Sequence, residues 1–382
     1  MGITDLAQTP DGFLWIASLE GLIRFDGVKF EKITLPRQQE NRGSVPVSLY
    51  VSRKGELWVG FGQRGGVAVQ RGGSLVDMRM PEPPPMIIHI AEDVHGDILA
   101  VWGGDQDRLR RFAGGGWKNV EHETKLPAGQ IISSRVASDS SLWLGLIDHL
   151  TNTSVLAVLR PGSAHFESVP VRGLRPSVTE DDAHKLWISD SVGTRQIRPA
   201  GGGHYVDNSP GYAQVDGVKM PEFVFDRAGG IWGLTRTVGI FHIPAATSDP
   251  ALANHVDSFK GTDGLLSDFT VAILRGREGS IWFGGPDGLE RFRMGSVVLD
   301  ATVPPDPAEG MVMGSANNGS VFVASKRRLF EIKPGADPQE RLVLDDESLA
   351  LCSSGRNAMW LVEAGKILRI DGPSQTSMPL PE

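Results

Sequence analysis

The chain carries one cysteine, three tyrosines and nine histidines in 382 residues. A single cysteine, Cys352, excludes an internal disulfide framework and any multi-cysteine metal site. No apolar run approaches the ~18 residues of a membrane-crossing helix. Positive charge is also short, with 38 Lys and Arg against 46 Asp and Glu for a net charge of −8. The longest basic run, Lys326-Arg327-Arg328, is a single turn, so no basic stripe offers itself to nucleic acid. The opening Met1-Gly2-Ile3-Thr4 has neither the charged nor the apolar region of a secretory leader. Leu6 stands where a myristoylation signal needs Ser or Thr. This start predicts either a cytoplasmic protein or a chain whose leader lies upstream.

Glycine is abundant: 47 residues, about 12% against a usual level of about 7%. With 25 prolines and nine tryptophans, the chain is turn-rich yet apolar enough for a large core, which excludes disorder. The tryptophans are periodic. Asp11-Gly12-Phe13-Leu14-Trp15-Ile16-Ala17 returns as Lys54-Gly55-Glu56-Leu57-Trp58-Val59-Gly60. It returns again around Trp143, Trp187, Trp232 and Trp282, with weaker copies around Leu99, Phe322 and Trp360. The anchors are 38 to 50 residues apart, the range of propeller blades, and each copy reads as four short strands.

The first copy shows the logic. Ile3–Gln8 reads as an inner strand and Pro10-Asp11-Gly12 as a tight turn. Phe13–Ala17 is an almost wholly apolar strand covered on both faces. Leu22–Phe25 is the third strand, Asp26-Gly27 a two-residue hairpin and Val28–Ile33 an alternating edge strand. One Trp per blade fills the wedge between sheets, and the aligned glycines serve turns and close approach.

These residues predict an all-β fold, a β-propeller of four-stranded antiparallel blades. Seven blades are expected over 1–300, anchored at Trp15, Trp58, Leu99, Trp143, Trp187, Trp232 and Trp282. A proline-rich linker follows at 301–308. Two further blade repeats at 309–382 would open a second propeller. The alternative is a single ring of eight or nine blades.

The phrase DGFLWIASLEGLIRFDGVKF resembles the two-component regulator propeller repeat, roughly D-G-x-L-W-[IV]-G-T-x-x-G-L-x-R-[FY]-D-G. Thr262–Val271, followed by Asp287-Gly288-Leu289-Glu290-Arg291-Phe292, resembles that family's other hallmark, a D-G-L-x-x-[ND] loop leading into an inner strand. The repeat covers nearly the whole chain. It is sharp in copies one and seven, while copy five has Thr194-Arg195-Gln196 where G-L-x-R-F is expected, and copies eight and nine keep little beyond the central strand. The resemblance implies the periplasmic or extracellular input region of a bacterial sensor or hybrid histidine kinase. Such proteins place a β-sandwich, a membrane helix and a kinase after two propellers, and none of those parts is in this sequence.

Catalytic motifs are missing. There is no H-E-x-x-H, G-x-S-x-G, Walker loop or dinucleotide fingerprint. The histidines are dispersed with no metal-binding spacing, so neither catalytic residues, a metal nor a cofactor is expected. Propellers place binding residues in loops joining second to third strands and in loops entering inner strands. These hold Glu20, Gln63, Arg64, Asp105, Gln106, Asp107, Asp148, His149, Ser191, Arg236 and Asp287. The entering loops add Arg42, Arg175, Lys219 and Asp268. Trp102, out of register with the packing tryptophans, is a candidate for stacking a sugar ring. The site candidates are therefore Glu20, Arg42, Arg64, Trp102, Asp105, Asp107, His149, Arg175, Arg236 and Asp287, suited to a polyhydroxylated or carboxylated ligand.

The expected function is a non-catalytic ligand-sensing input domain. It would bind a small molecule or oligosaccharide and signal to a kinase module in cis, with no nucleic-acid or membrane contact of its own and with room for a homodimer. A propeller glycan lyase using His149, a glycan hydrolase and a protein-interaction scaffold are the alternatives.

Overall fold

A computed structural model describes residues 2–37, 43–81, 85–102, 107–200, 204–209, 212–213, 222–235, 238–244, 256–293, 303, 310–316, 318–333, 336–353, 358–372 and 374–380. Strands dominate, and every pairing between them is antiparallel. The chain divides into two compact units, 1–294 and 295–382.

Blade one contains the strands Ile3–Gln8, Leu14–Ser18, Gly21–Phe25 and Phe30–Ile33, hydrogen-bonded in that order. The edge strand starts later than the sequence suggests because Asp26 consumes two more residues in its turn. Its Oδ1 accepts from the Val28 and Lys29 amides at 2.8 and 2.6 Å, and those two bonds hold its carboxyl below the usual range.

The pattern repeats around the first unit, with inner strands at Pro46–Val51, Ile87–Glu92, Gln130–Val136, Ser177–Glu180, Glu222–Phe225 and Ala272–Arg275. Each inner strand lies against the next, and the seventh returns to the first. There Ala272 and Trp282 share a core with Ile3, Leu6 and Ile16, and the Ile3 amide donates to the Gly285 carbonyl at 3.0 Å. Second strands are buried along their whole length in Leu14–Ser18, Leu57–Phe61, Ile98–Trp102 and Leu186–Asp190. That burial on both faces is why they read as continuous apolar runs.

Trp15, Trp58, Trp143, Trp187 and Trp282 are all buried. In three blades the residue six positions upstream satisfies the indole N–H. Trp15 Nε1 donates to Thr9 Oγ1 at 2.9 Å, Trp187 Nε1 to Asp181 Oδ2 at 2.9 Å and Trp232 Nε1 to Asp226 Oδ2 at 3.0 Å. Asp181 and Asp226 use their other oxygen to accept amides two and four residues on. One side chain therefore shapes the turn and anchors the wedge. Ala137 occupies that position before Trp143, and Ser52 before Trp58 serves the Glu56 amide, so neither indole nitrogen has a hydrogen-bond partner.

Neighbouring inner strands are stitched by hydroxyls. Thr4 Oγ1 donates to the Pro46 carbonyl, Ser48 Oγ to that of Ile87 and Ser133 Oγ to that of Pro176, at 2.9, 3.1 and 2.7 Å. Glycine follows Trp58 and Trp143 by two residues, where this approach is tightest. A Cβ on Gly145 would lie 2.1 Å from the Pro176 oxygen.

Blade five departs from the pattern. A two-stranded insert, Arg198–Ala200 with His204–Val206, precedes its short fourth strand Tyr212–Ala213. Arg195, 1% exposed, replaces the apolar side chain that Ile23 supplies in blade one. It donates to Asp190 Oδ1 and Oδ2 at 2.9 and 2.6 Å and to Asp207 Oδ1 at 2.5 Å. Burial opposes the guanidinium charge, but its bonds to Asp207 and Asp190 raise its pKa. Asp207 is correspondingly held low by Arg195 and by the Arg172 amide, against its own desolvation.

The second unit has two four-stranded sheets, starting at Val312–Ser315 and Ser348–Ser353. They share a core of Phe322, Leu329, Met359, Leu361 and Leu368. Cys352 is exposed. Of the proline-rich segment 301–308, only Val303 is described.

Candidate ligand-binding face and axial channel

The sequence places its candidates on the face formed by the second-to-third-strand loops. Arg42, Asp105, Gln106, Lys219 and Arg236 lie outside the described residues. Glu20, Arg64, Arg175 and Asp287 are exposed, each on a different blade or junction, and they are not brought together. Arg64 and Arg175 adopt positive φ, 60° and 58°, as turn residues do. The Arg175 amide donates to Ser154 Oγ at 3.1 Å. Asp148, Ser191 and Asp268 accept loop amides from Leu150, Leu174 and Gly261 at 2.8, 2.7 and 2.6 Å, so they build the loops. Gln63 lends its carbonyl to Ser44 Oγ at 2.8 Å.

The candidates on blades three and four engage local partners. Asp107 pairs with Arg110, whose guanidinium lies 4.9 Å from the Trp102 ring centroid. Trp102 itself is 8% exposed, packed among Val67, Ile87 and Ala100. With its other surface in the core and Arg110 on its ring, it works as a packing residue. His149 Nε2 lies 2.8 Å from Gln130 Oε1. In the loop that precedes Gln130 opens a cleft of about 430 Å³ lined by Arg108, Glu121, His122, Lys125, Leu126, Ala128 and Gly129, none of them a sequence candidate.

Arg108 organises the cleft. Only 4% exposed, it donates from Nε to Glu121 Oε1 at 3.0 Å, from its amide to Glu121 Oε2 at 2.8 Å and from Nη2 to the Pro127 carbonyl at 3.0 Å. Nη1 also donates to the Gly129 carbonyl. Burial pushes the Glu121 carboxyl up, but the Arg108 bonds outweigh it and hold the group below its usual range. With Arg108 and Glu121 committed to each other, His122 and Lys125 are the exposed polar side chains at the rim. The cleft offers hydrogen-bonding and charged groups, and no hydroxyl or thiol is among its lining residues. This loop is not among the sequence candidates. Its signal is the run Glu121-His122-Glu123-Thr124-Lys125, the densest charge in any loop entering an inner strand of the first unit.

Polar groups also stand inside the ring, on the inner strands themselves. Asp5 accepts the Leu6 and Leu49 amides at 2.8 and 2.7 Å, yet burial raises its pKa to about 7. His89, facing the Ile132 backbone, is pushed down to about 4 by burial. Tyr50, beside Glu92, is pushed up to about 12, again chiefly by burial. Arg135, on the fourth inner strand, is exposed.

Among the described residues, no group of three or more His, Cys, Asp or Glu side chains is arranged to hold a metal, and no helix is long and apolar enough to cross a membrane. No family profile matches the chain, and no curated protein does. Solved structures share its architecture. It is similar to the extracellular domain described as that of a one-component system from B. thetaiotaomicron, with TM-score 0.58 and 15% identity over 99% of this chain and 52% of that one. It is also similar to the extracellular domain of a hybrid two-component system from the same organism, with TM-score 0.56 and 15% identity over 100% and 53%. A third is YCF48 bound to D1 peptide, with TM-score 0.57 and 13% identity over 78% and 94%. This chain therefore spans about half the length of the two extracellular domains. At such identities the likeness establishes the propeller fold.

Proposed function

We propose that this chain is a ligand-sensing input region of a bacterial two-component system, acting outside the cytoplasm on a kinase module beyond this sequence. It takes a small polar molecule or oligosaccharide at the loop face of the first unit. The observation carrying this reading is the cleft of about 430 Å³ with a committed Arg108–Glu121 base and a His122/Lys125 rim, on a fold shared with extracellular sensor domains. A rigid floor with long, adaptable rim side chains suits recognition without turnover. The output follows from differential affinity, because a ligand shifts a two-state equilibrium only as far as it prefers one state.

The test is a thermal-shift screen of oligosaccharides and small carboxylated compounds on the chain, followed by titration of Lys125→Ala and His149→Ala. Hits should bind saturably, and both variants should weaken them at least fivefold while melting normally. Unchanged affinity in both variants moves the ligand off this face. Turnover of a hit, lost in His149→Ala, would replace the sensor reading with a propeller enzyme.

A further inference from the structure

The hydrogen-bonding groups of the cleft before the fourth inner strand specify what its ligand must carry. A guanidinium has five N–H donors and no acceptor. In Arg108, Nε and one Nη2 hydrogen go to Glu121 Oε1, the other Nη2 hydrogen to the Pro127 carbonyl at 3.0 Å, and one Nη1 hydrogen to the Gly129 carbonyl. One Nη1–H is left over, on a side chain only 4% exposed. Glu121 is placed the other way round. Its bonds to Arg108 keep it ionised, so it only accepts, and three N–H groups of Arg108 already meet it: Nε and Nη2 at Oε1, and the amide at Oε2.

The backbone has the same bias. The lining carbonyls of Glu121, His122 and Gly129 have each taken a donor, namely the Leu126 amide at 3.1 Å, the Lys125 amide at 3.2 Å and the Arg108 guanidinium. Among the described residues, the amides of Ala128 and Gly129 make no hydrogen bond. At the rim, Lys125 is exposed and brings three donors and no acceptor. The neighbouring acid Glu123 is held by Lys118 at 2.7 Å and by Arg111 at 3.7 Å. With Arg108 and Glu121 neutralising each other, Lys125 leaves the cleft positive on a chain of net charge −8.

Uncommitted donors therefore outnumber acceptors in the cleft. A neutral sugar suits such a surface poorly, because each hydroxyl brings a hydrogen that needs an acceptor. A carboxylate brings about four lone-pair sites and nothing to donate, and its charge strengthens every bond it receives. We propose that the cleft selects a carboxylate over a neutral sugar, taking the acid group on the donors left by Arg108, Lys125 and the Ala128–Gly129 backbone. This rests on the reading of the cleft as the sensing site and narrows the class of ligand that it takes. A free organic acid and an acidic sugar share this group, and the test separates them.

The test is calorimetric titration of the whole chain with glucuronate, glucose and succinate at one ionic strength set by sodium chloride. Glucuronate differs from glucose only in carrying a carboxylate where glucose has a hydroxymethyl group. Glucuronate or succinate should bind saturably and at least tenfold more tightly than glucose. Succinate binding shows that the acid group suffices, whereas glucuronate binding without succinate shows that the sugar ring is needed too. Lys125→Gln should weaken the acid at least fivefold and Lys125→Arg by less. Arg71→Gln, on blade two and paired in the wild type with Glu56 at 2.8 Å, should leave it unchanged. Glucose binding as tightly as the acids and weakened by Lys125→Gln overturns the choice of a carboxylate and leaves the cleft as the site. Acid binding that Lys125→Gln does not weaken puts the ligand elsewhere and overturns both readings. Saturable binding of none of the three overturns the proposal.

Discussion

Replacing Arg195 by leucine would test whether the buried charge cluster of blade five is held together as a unit. Arg195 is 1% exposed, and the side chains of Asp190 and Asp207 are 0% and 2% exposed. Leucine fits the volume, since Ile23 fills the matching place in blade one, but it takes from Asp190 the guanidinium it pairs with and from Asp207 one of two. Breaking a buried pair from one side costs about 3–5 kcal/mol. At roughly 2–4 °C per kcal/mol for a large domain, the melting temperature should fall by roughly 6–20 °C. The sign with pH is equally specific. In the wild type the Asp207 pKa is depressed, so its contribution is complete above the unfolded value of about 3.9 and is lost as pH falls through the lower folded value. In the variant the same carboxyl loses Arg195 and keeps only the Arg172 amide and guanidinium, so less of its stabilisation remains to be lost on acidification. Urea midpoints of the two proteins should therefore be far apart at neutral pH and converge below about pH 4. A triple variant, Arg195→Leu with Asp190→Ser and Asp207→Asn, should recover most of the loss. A cost under about 1 kcal/mol for Arg195→Leu alone, or a triple variant no better than the single one, would refute the reasoning.

Two further outcomes follow from packing. Gly145→Ala should destabilise by about 1–3 kcal/mol, because its Cβ meets the Pro176 oxygen and Ser133 Oγ at 2.1 and 2.3 Å. Gly116→Ala, which meets nothing within 4 Å, should leave urea unfolding nearly unchanged. Asp226→Ala removes the acceptor of the Trp232 indole and of two turn amides. It should lower stability by about 1–3 kcal/mol and shift tryptophan emission, whereas an unchanged midpoint would mean the turn acid is dispensable.

The blade was legible because its signals are local. Trp15, the Pro10-Asp11-Gly12 turn and the apolar run Leu14–Ala17 fall within one strand pair, and the structure keeps them in one sheet. Legibility fails where a side chain finds its partner at a distance. The Asp207 that satisfies Arg195 lies beyond an inserted hairpin, so copy five reads as merely degenerate. Arg108 can be understood only with Glu121 folded back beneath it. Trp102 misleads by register, since its position past the anchor Leu99 falls in the core shared with blade two.

The junction of blades seven and one has a mechanical meaning. Among the described residues no strand is shared across it: Ile3–Gln8 pairs within its own sheet, and blade seven keeps Ala272–Arg275, Ile281–Gly284 and Leu289–Phe292. Closure rests on side-chain packing, on the Ile3–Gly285 bond and on Gln8 accepting the Arg277 amide at 2.7 Å. Among the described residues, tension applied across this junction is resisted by that packing and those bonds, with no β-ladder joining the two blades. The seam is thus the clasp of the ring, fastened by side chains where each blade is fastened by backbone.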